Sequence, residues 1–260
     1  MVDVGAAQPD SMRICDMHVH LGFIANAPQV VVDAAADGLA LFANTVTPEE
    51  YVTAREEAWS RATNVRMGVG MHPWWVADGR VSASDVQLFC ELAADAHYIG
   101  EIGLDFSDKH TDPASRDTQV AAFTAAAQVC AEDAKVVSIH SVRAVDAVLD
   151  VLESTGALSK SHCIFHWFSG STPELWRAIH AGCYFSVNEM QVRTRKAKEQ
   201  LKLIPRERLL LETDLPPGEG VDFSAEQIED SLQNALAGLE QIRGESLQST
   251  CRENAGRLLA

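Results

Sequence analysis

The stretch RICDMHVHL, residues 13–21, is the first of eight short apolar segments that recur along the chain. Each segment has the length of a β-strand. The other seven segments are residues 38–46, 65–73, 97–105, 134–141, 161–169, 182–190 and 208–216. Their sequences are almost continuously apolar, which is expected of parallel strands that are covered on both faces.

Helical signals separate these segments along the chain. Thr47 precedes Pro48 and lies three residues before Glu50, which is the pattern of a helix N-terminus with a capping box. Residues 171–182 begin with a similar pattern and end at a glycine, and residues 223–232 contain another capping box. Eight alternating strand and helix segments predict the α/β class and a single (β/α)8 TIM barrel, with a doubly wound open sheet as the alternative.

The domain organisation follows from length and composition. The chain has 260 residues, of which 47% are hydrophobic and 22% are charged, an ordinary globular composition. No linker, low-complexity tract or change of composition interrupts the pattern, and α/β barrels of this length commonly form one domain. We therefore expect a flexible lead over residues 1–12 and one barrel domain over residues 13–260.

Targeting signals and cysteines bear on the compartment. The N-terminus has neither the basic start nor the apolar core of a signal peptide, and no apolar run is long enough to span a membrane. The six cysteines form no CxxC pair and lie mostly in apolar segments, so we expect reduced core residues. These features predict a cytoplasmic protein without a membrane partner, and they leave the oligomeric state open, a monomer included.

The charge balance limits the kinds of partner. Acidic residues outnumber basic residues by 37 to 21, for a net charge of −16. This balance argues against a broad nucleic-acid-binding surface, because phosphate contacts use Lys and Arg. It allows a local nucleic-acid site at which metal ions supply positive charge. One basic run, RTRKAKEQLK at 193–202, is predicted to be either a solvated helix face or a patch that steers phosphate groups.

Polar residues collect at the C-terminal ends of the predicted strands. They are His18, His20, His72, Glu101, Asp105, His140, His166, Glu212 and Asp214. In a barrel these ends form one rim, where active sites are found. Residues two apart in a strand, as His18 and His20 are, point to the same side. Buried imidazoles and carboxylates are costly unless they are paired, so the pattern predicts metal ligands.

The number of candidate ligands favours two cations. A single catalytic zinc ion typically takes three protein ligands, and six candidates are available here. Mixed imidazole and carboxylate ligands suit zinc or manganese, and magnesium less well. Glu101 is the best-placed bridging carboxylate, because its predicted strand lies between the first strand and the strands of His140 and His166. Two such cations can activate a water molecule for a displacement reaction.

Six motifs and a closing pattern carry a resemblance to a known family. The motifs are DMHVHL (16–21), GMHPWW (70–75), GEIGLDF (100–106), SIH (138–140), FHWFSG (165–170) and LLLETDLP (209–216), followed by ENAGRLL (253–259). Their order is similar to that of the TatD-like metal-dependent deoxyribonucleases, (β/α)8 barrels of the amidohydrolase superfamily. The resemblance runs from about residue 13 to the end. It implies a phosphodiesterase that uses two divalent ions (Mg²⁺, Mn²⁺ or Zn²⁺) and acts on DNA.

The resemblance also implies roles for individual residues. Asp214 would be the base that deprotonates the attacking water, and His72 would lie near the scissile phosphate. Asp105 and Glu212 would orient the ligands. The implied ligand set is His18, His20 and Asp214 for one cation, His140 and His166 for the other, and Glu101 as the bridge.

Three departures from the family pattern concern the substrate. Val142 stands where the family usually has Arg, and Arg143 follows it. Trp167 stands where Cys is common, and LPPGEG at 215–220 changes a loop at the rim. The first hypothesis is therefore a two-metal DNase. The second is a metal-dependent amide or ester hydrolase, such as a D-aminoacyl-tRNA deacylase, and the third is a metal-binding protein without enzymatic activity.

Overall fold

The computed structural model describes residues 12–108 and 112–260. Eight strands form a sheet in which each strand neighbours the next one along the chain. They are β1 (Ile14–Val19), β2 (Leu39–Asn44), β3 (Val65–Met71), β4 (Tyr98–Asp105), β5 (Val136–Val142), β6 (His162–His166), β7 (Tyr184–Val187) and β8 (Leu209–Leu211). Helices separate the strands, so the predicted (β/α)8 fold class is confirmed. Except for Met12, the predicted N-terminal lead lies outside the described residues.

Eleven α-helices lie within the described ranges. They are α1 (Ala27–Ala36), α2 (Pro48–Ala54), α3 (Pro73–Ala77), α4 (Ala83–Asp95), α5 (Arg116–Glu132), α6 (Val145–Thr155), α7 (Ala157–Lys160), α8 (Thr172–His180), α9 (Arg195–Leu201), α10 (Ala225–Arg243) and α11 (Gln248–Leu259). The eight predicted helical stretches become eleven because two helices lie between β3 and β4, between β5 and β6, and after β8. No helix of the described ranges is both long enough and apolar enough to cross a membrane.

The predicted helix starts are formed by side-chain caps. Ser171 begins α8 with a capping box in which the carboxylate of Glu174 accepts a hydrogen bond from the Ser171 backbone at 2.6 Å. Ser224 begins α10 in the same way with Gln227. At α2, Thr47 Oγ1 accepts from the backbone of Glu50, but the Glu50 carboxylate accepts from Val46 instead of Thr47. These caps satisfy backbone donors that the first helical turn leaves open.

The chain divides into two compact units. The first unit contains the described part of Met1–Ala43 together with Thr53–Arg66 and Ser186–Ala260. In it β1 pairs in parallel with β2, and α10 contributes core residues such as Leu232 and Leu239. The second unit contains Asn44–Val52 and Met67–Phe185. Here β4 pairs in parallel with both β3 and β5, and β5 pairs with β6.

Two glycines of the second unit allow backbone segments to approach closely. A Cβ atom added to Gly70 would lie 1.6 Å from the carbonyl oxygen of Thr45. One added to Gly103 would lie 2.0 Å from the carbonyl oxygen of His140, and Gly103 has a φ of +146°. Gly103 is also the register partner of His140 in the β4–β5 pair. Glycine at 103 therefore fixes how closely the backbone of His140 approaches β4.

Three non-glycine residues of the described ranges have positive φ angles, and each lies where a strand has ended. Arg143 (φ 53°) follows β5, Trp167 (φ 40°) follows β6, and Asp214 (φ 59°) lies three residues after β8. The last predicted strand, residues 208–216, is correspondingly shorter in the structure, where β8 ends at Leu211. A left-handed residue turns the backbone out of the extended conformation, so the chain leaves the strand direction at these positions.

All six cysteines are free thiols, and five of them are buried. Burial raises the pKa of the Cys15 and Cys130 thiols to about 12. Because the thiolate is the reactive form, a thiol reagent at pH 8 is expected to modify at most Cys90, the half-buried one, in the folded protein. Intact-mass spectrometry checks this, with the denatured protein, which exposes all six thiols, as the control. Two or more rapidly labelled cysteines in the folded protein would contradict the prediction.

Candidate functional site

The first unit brings two histidines and an aspartate together at the ends of β1 and β8. The ligand atoms of His18, His20 and Asp214 all lie within 4.8 Å of one another. Asp214 Oδ1 is 3.3 Å from Nε2 of His20 and 3.7 Å from Nε2 of His18. The two imidazole rings meet edge to face with centroids 4.9 Å apart, as the i and i+2 spacing predicts. We refer to these three residues as the first cluster.

Asp16 fixes the backbone that carries the first cluster. Its carboxylate accepts hydrogen bonds from Thr213 Oγ1 at 2.5 Å, from the Thr213 backbone at 3.0 Å and from the His18 backbone at 3.1 Å. The backbone N–H of Asp214 donates to the carbonyl of His18 at 2.8 Å. Burial raises the pKa of Asp16 to about 7, against the opposing effect of these hydrogen bonds. Asp16 therefore joins β1 to the segment after β8.

Glu212 is fully buried, and its carboxylate binds two side chains that belong to β7 and the residue just after it rather than to the first cluster. Its carboxylate accepts hydrogen bonds from the hydroxyl of Ser186 and, at 2.9 Å, from Nδ2 of Asn188. The sequence predicts an orienting role for Glu212 but does not identify Ser186 or Asn188 as its partners. Ser186 and Asn188 are visible in residues 182–190 as two polar residues two apart in a mostly apolar segment, but nothing in that segment identifies Glu212 as their partner.

The second unit gathers three histidines around the carboxylate of Glu101. Glu101 Oε1 lies 2.8 Å from Nδ1 of His140, 2.9 Å from Nε2 of His166 and 3.1 Å from Nε2 of His72. All four residues are buried. They come from the ends of β3, β5 and β6 and from the middle of β4. We refer to His72, Glu101, His140 and His166 as the second cluster.

The charges of the second cluster stabilise one another. Burial alone would raise the pKa of Glu101, but His72, His166 and His140 outweigh it and hold that pKa well below its ordinary value. Burial alone would lower the pKa of His140, but its hydrogen bonds with Asp105 and Glu101 raise it to about 9. At neutral pH the buried carboxylate of Glu101 is therefore ionised, and the ring of His140 beside it is protonated.

Asp105 and Trp74 orient two histidines of the second cluster. Asp105 Oδ2 lies 3.1 Å from Nε2 of His140 and accepts a hydrogen bond from the indole of Trp74 at 2.6 Å. The backbone N–H of Trp74 donates to Nδ1 of His72, so Nε2 of that ring faces Glu101. The resemblance predicts His72 near a substrate phosphate, and the structure places its Nε2 among the atoms around Glu101. The hydrogen bond of the Trp74 indole was not identified from the sequence.

Arg143 and the basic run lie at the surface. Arg143 Nη1 is 3.1 Å from Asp108 Oδ2, and both side chains are largely exposed. In the run 193–202, Arg193 pairs with Glu189 and Lys202 pairs with Glu199, each at 3.0 Å. The cations of the run are exposed on and beside α9. Neither alternative for this run, solvated helix face or phosphate-steering patch, is tested by these contacts.

The donor sets of both clusters fit divalent cations. Within each unit, three ligand atoms from His and carboxylate side chains lie within 4.8 Å of one another: those of His18, His20 and Asp214, and those of His72, Glu101 and His140. Imidazole nitrogens combined with carboxylate oxygens suit zinc, manganese and similar ions. Clusters of this composition at the C-terminal ends of (β/α)8 strands define a class of metal-dependent hydrolases.

The chain belongs to the TatD related DNase family, whose model matches residues 15–260. It is 27% identical over 254 residues to the uncharacterized metal-dependent hydrolase YabD of Bacillus subtilis strain 168, a match that covers 94% of this chain and 97% of that protein. It is 33% identical over 121 residues to the 3'-5' ssDNA/RNA exonuclease TatD of Erwinia tasmaniensis, which covers 45% of each protein. The crystal structure of YjjV, a TatD homologue of Escherichia coli K12, superposes on this structure with a TM-score of 0.77 and shows the same fold. The two sequences are 21% identical, and the match covers 95% of this chain and 98% of that one.

Proposed function

We propose that the protein is a divalent-metal-dependent phosphodiesterase that hydrolyses DNA. The observation that carries this proposal is the pair of His–carboxylate clusters at the strand ends. Membership of the TatD related DNase family supports it, and so does the name of the Erwinia relative, an exonuclease of single-stranded DNA and RNA. A substrate bound at a local metal site is compatible with the net charge of −16.

We propose that each cluster holds one divalent cation, Mg²⁺, Mn²⁺ or Zn²⁺. Such cations supply the Lewis acidity that makes water a nucleophile near neutral pH and that balances the charge of a phosphodiester. His18, His20 and Asp214 would hold one cation, and Glu101, His140 and His166 the other. The role of Glu101 as a bridge between the two cations stays a prediction from the sequence.

The chain's own residues would move and place the protons. Asp214 would accept the proton of the attacking water, because its side chain is 20% exposed while its backbone is held by His18. His72 accepts a hydrogen bond from the Trp74 backbone at Nδ1, so the ring proton lies on Nε2, 3.1 Å from Glu101 Oε1. A place for His72 near the scissile phosphate stays a prediction from the sequence. Asp105 would keep the ring of His140 in place.

A cleavage assay tests this function directly. We expect the purified protein to shorten single-stranded oligonucleotides in Mn²⁺ or Mg²⁺, EDTA to stop the reaction, and added metal to restore it. Amide, lactone and aminoacyl-tRNA substrates belong in the same panel, because the second hypothesis predicts turnover there instead. Metal-loaded protein that cuts no oligonucleotide would refute the proposal.

Metal uptake by the second cluster is expected to depend on pH. Because the pKa of His140 is about 9, its ring is protonated at pH 7, and a cation has to displace that proton. The apparent affinity for Mn²⁺ or Zn²⁺ should therefore rise by up to about tenfold per pH unit from pH 7 to 9, and level off above that. Isothermal titration calorimetry in buffers of different ionisation enthalpy measures the released proton. An affinity that does not change over this range would contradict the prediction.

Two further expectations remain proposals. We propose that residues 13–260 act as one domain, which is supported by a family model that matches residues 15–260. We propose a cytoplasmic location, which is supported by six free thiols, because disulfides are rare in that compartment.

A further inference from the structure

We propose that Trp167 is a platform on which a nucleobase of the substrate stacks. This inference rests on the proposed function and names a feature of the substrate that the site recognises. Trp167 directly follows His166 of the second cluster. Its exposed fraction is 40%, although large aromatic side chains are usually among the more buried residues of a protein.

The backbone of Trp167 is strained. Its φ angle is 40°, in the left-handed region that bulky side chains rarely adopt. Such a conformation persists only when the surrounding structure imposes it, and strained residues concentrate at active sites and ligand contacts. A glycine or asparagine would fit this backbone at lower cost. Because 40% of its side chain is exposed, burial of Trp167 offsets this strain less than burial of a core tryptophan would, and a role in binding explains the residue better than a role in folding.

The residues on both sides of Trp167 are anchored, which holds the backbone that carries it in place. His166 is buried with its Nε2 2.9 Å from Glu101. Phe168 is buried and packs edge to face against Phe165 and Phe185, with centroid distances of 5.8 and 5.6 Å. Gly170 lies so close to Phe168 that an added Cβ would be 2.6 Å from the ring. A side chain held on such a rigid segment loses little entropy when a ligand binds to it.

The neighbouring tryptophans of this unit have other roles. Trp74 donates its indole N–H to Asp105, and the guanidinium of Arg80 lies 4.5 Å from the ring centroid of Trp75. Both side chains are only partly exposed. Trp167 is thus the tryptophan beside the second cluster that presents the most open surface. Aromatic side chains bind bases of single-stranded nucleic acid by stacking, largely without regard to sequence.

The test measures binding and cleavage of a short single-stranded oligonucleotide by Trp167→Ala. Binding is followed by fluorescence anisotropy with a phosphorothioate-linked oligonucleotide, and cleavage by KM and kcat on the unmodified one. We expect Kd and KM to rise about tenfold, which corresponds to about 1.4 kcal/mol. Trp167→Phe should recover most of the loss, because phenylalanine also stacks.

Trp176 offers a matched control within the same unit. It is 42% exposed and lies on α8, where it stacks on His180 rather than beside the second cluster. Trp176→Ala should keep the Kd and KM of the original protein. Trp167→Gly provides a fold control, because glycine accepts the φ of 40° without strain, so its melting temperature should not fall below that of Trp167→Ala.

An abasic substrate distinguishes stacking from a structural effect. An abasic site is moved along the oligonucleotide, one position at a time. At one position, removal of the base should weaken binding to the original protein about tenfold. The same removal should leave binding to Trp167→Ala unchanged. Equal sensitivity of both proteins at every position would overturn the inference, as would unchanged Kd and KM in Trp167→Ala. If the protein binds the oligonucleotides with this pattern but does not cut them, the proposed phosphodiesterase activity is refuted and the stacking role of Trp167 is supported. A protein that neither binds nor cuts DNA would overturn both.

Discussion

Asp214→Asn is expected to lower kcat on single-stranded DNA by about 10³-fold, while the protein keeps its fold. Asparagine has the shape of aspartate but accepts no proton, and general-base catalysis by a positioned side chain contributes 10²- to 10⁴-fold, or about 3–5 kcal/mol. The amide also binds a cation more weakly than a carboxylate does, and Asp214 Oδ1 lies 3.3 Å from Nε2 of His20. Single-turnover kinetics at saturating metal measure the chemical step.

The matched control is Asp222→Asn, eight residues further along the same segment. Asp222 is exposed and belongs to neither cluster, so this variant removes the same negative charge without touching the proposed base. Its kcat should stay within twofold of the original value. Metal analysis of both variants adds a second readout, since Asp214→Asn should retain less metal than Asp222→Asn. A kcat for Asp214→Asn within tenfold of the original would show that Asp214 is not the base.

Gly103→Ala is expected to lower the stability of the folded protein strongly, although it adds only one methyl group. The new Cβ would lie 2.0 Å from the carbonyl oxygen of His140, so β4 or β5 has to move, and alanine also disfavours a φ of +146°. We expect the free energy of unfolding to fall by about 3 kcal/mol or more, which lowers the melting temperature by roughly 10 °C. Thermal unfolding followed by circular dichroism measures the shift.

Gly79→Ala separates the two causes of this loss. Gly79 also has a positive φ, of +80°, but a Cβ there meets no atom within 4 Å. Its cost is therefore conformational alone, about 1 kcal/mol. The difference between the two variants measures the steric contact with His140 together with the greater conformational cost of a φ of +146°. Equal destabilisation of both would mean that close approach of β4 and β5 at Gly103 does not matter for folding.

The positions of the clustered residues could be predicted from the sequence because they follow from the alternation of side chains along a strand and from the order of the strands. His18 and His20 lie two residues apart at the end of an apolar strand, and both meet Asp214 within 4.8 Å. Glu101 and His140 lie on neighbouring strands, and their side chains approach to 2.8 Å. The rule that parallel strands gather their C-terminal ends at one edge was sufficient for these contacts.

Contacts that depend on side-chain direction in loops were not predictable in the same way. Trp74 follows His72 by two residues, and only the turn into α3 brings its indole to Asp105. Ser186 and Asn188 meet Glu212 because β7 ends next to the segment after β8, a pairing that no local pattern encodes. The left-handed backbone of Asp214, three residues after β8, is likewise a conformation that aspartate tolerates but does not require.

The left-handed residues that follow β5, β6 and β8 determine how this protein can diversify. Arg143, Trp167 and Asp214 occupy backbone positions that accept glycine, asparagine and aspartate readily and exclude β-branched residues. A randomised library at 143 or 167 therefore samples far fewer viable amino acids than its size suggests. Engineering of a new substrate preference should instead vary the nearby residues Val142 and Ser169, whose φ angles are not positive and do not restrict the choice of amino acid in this way.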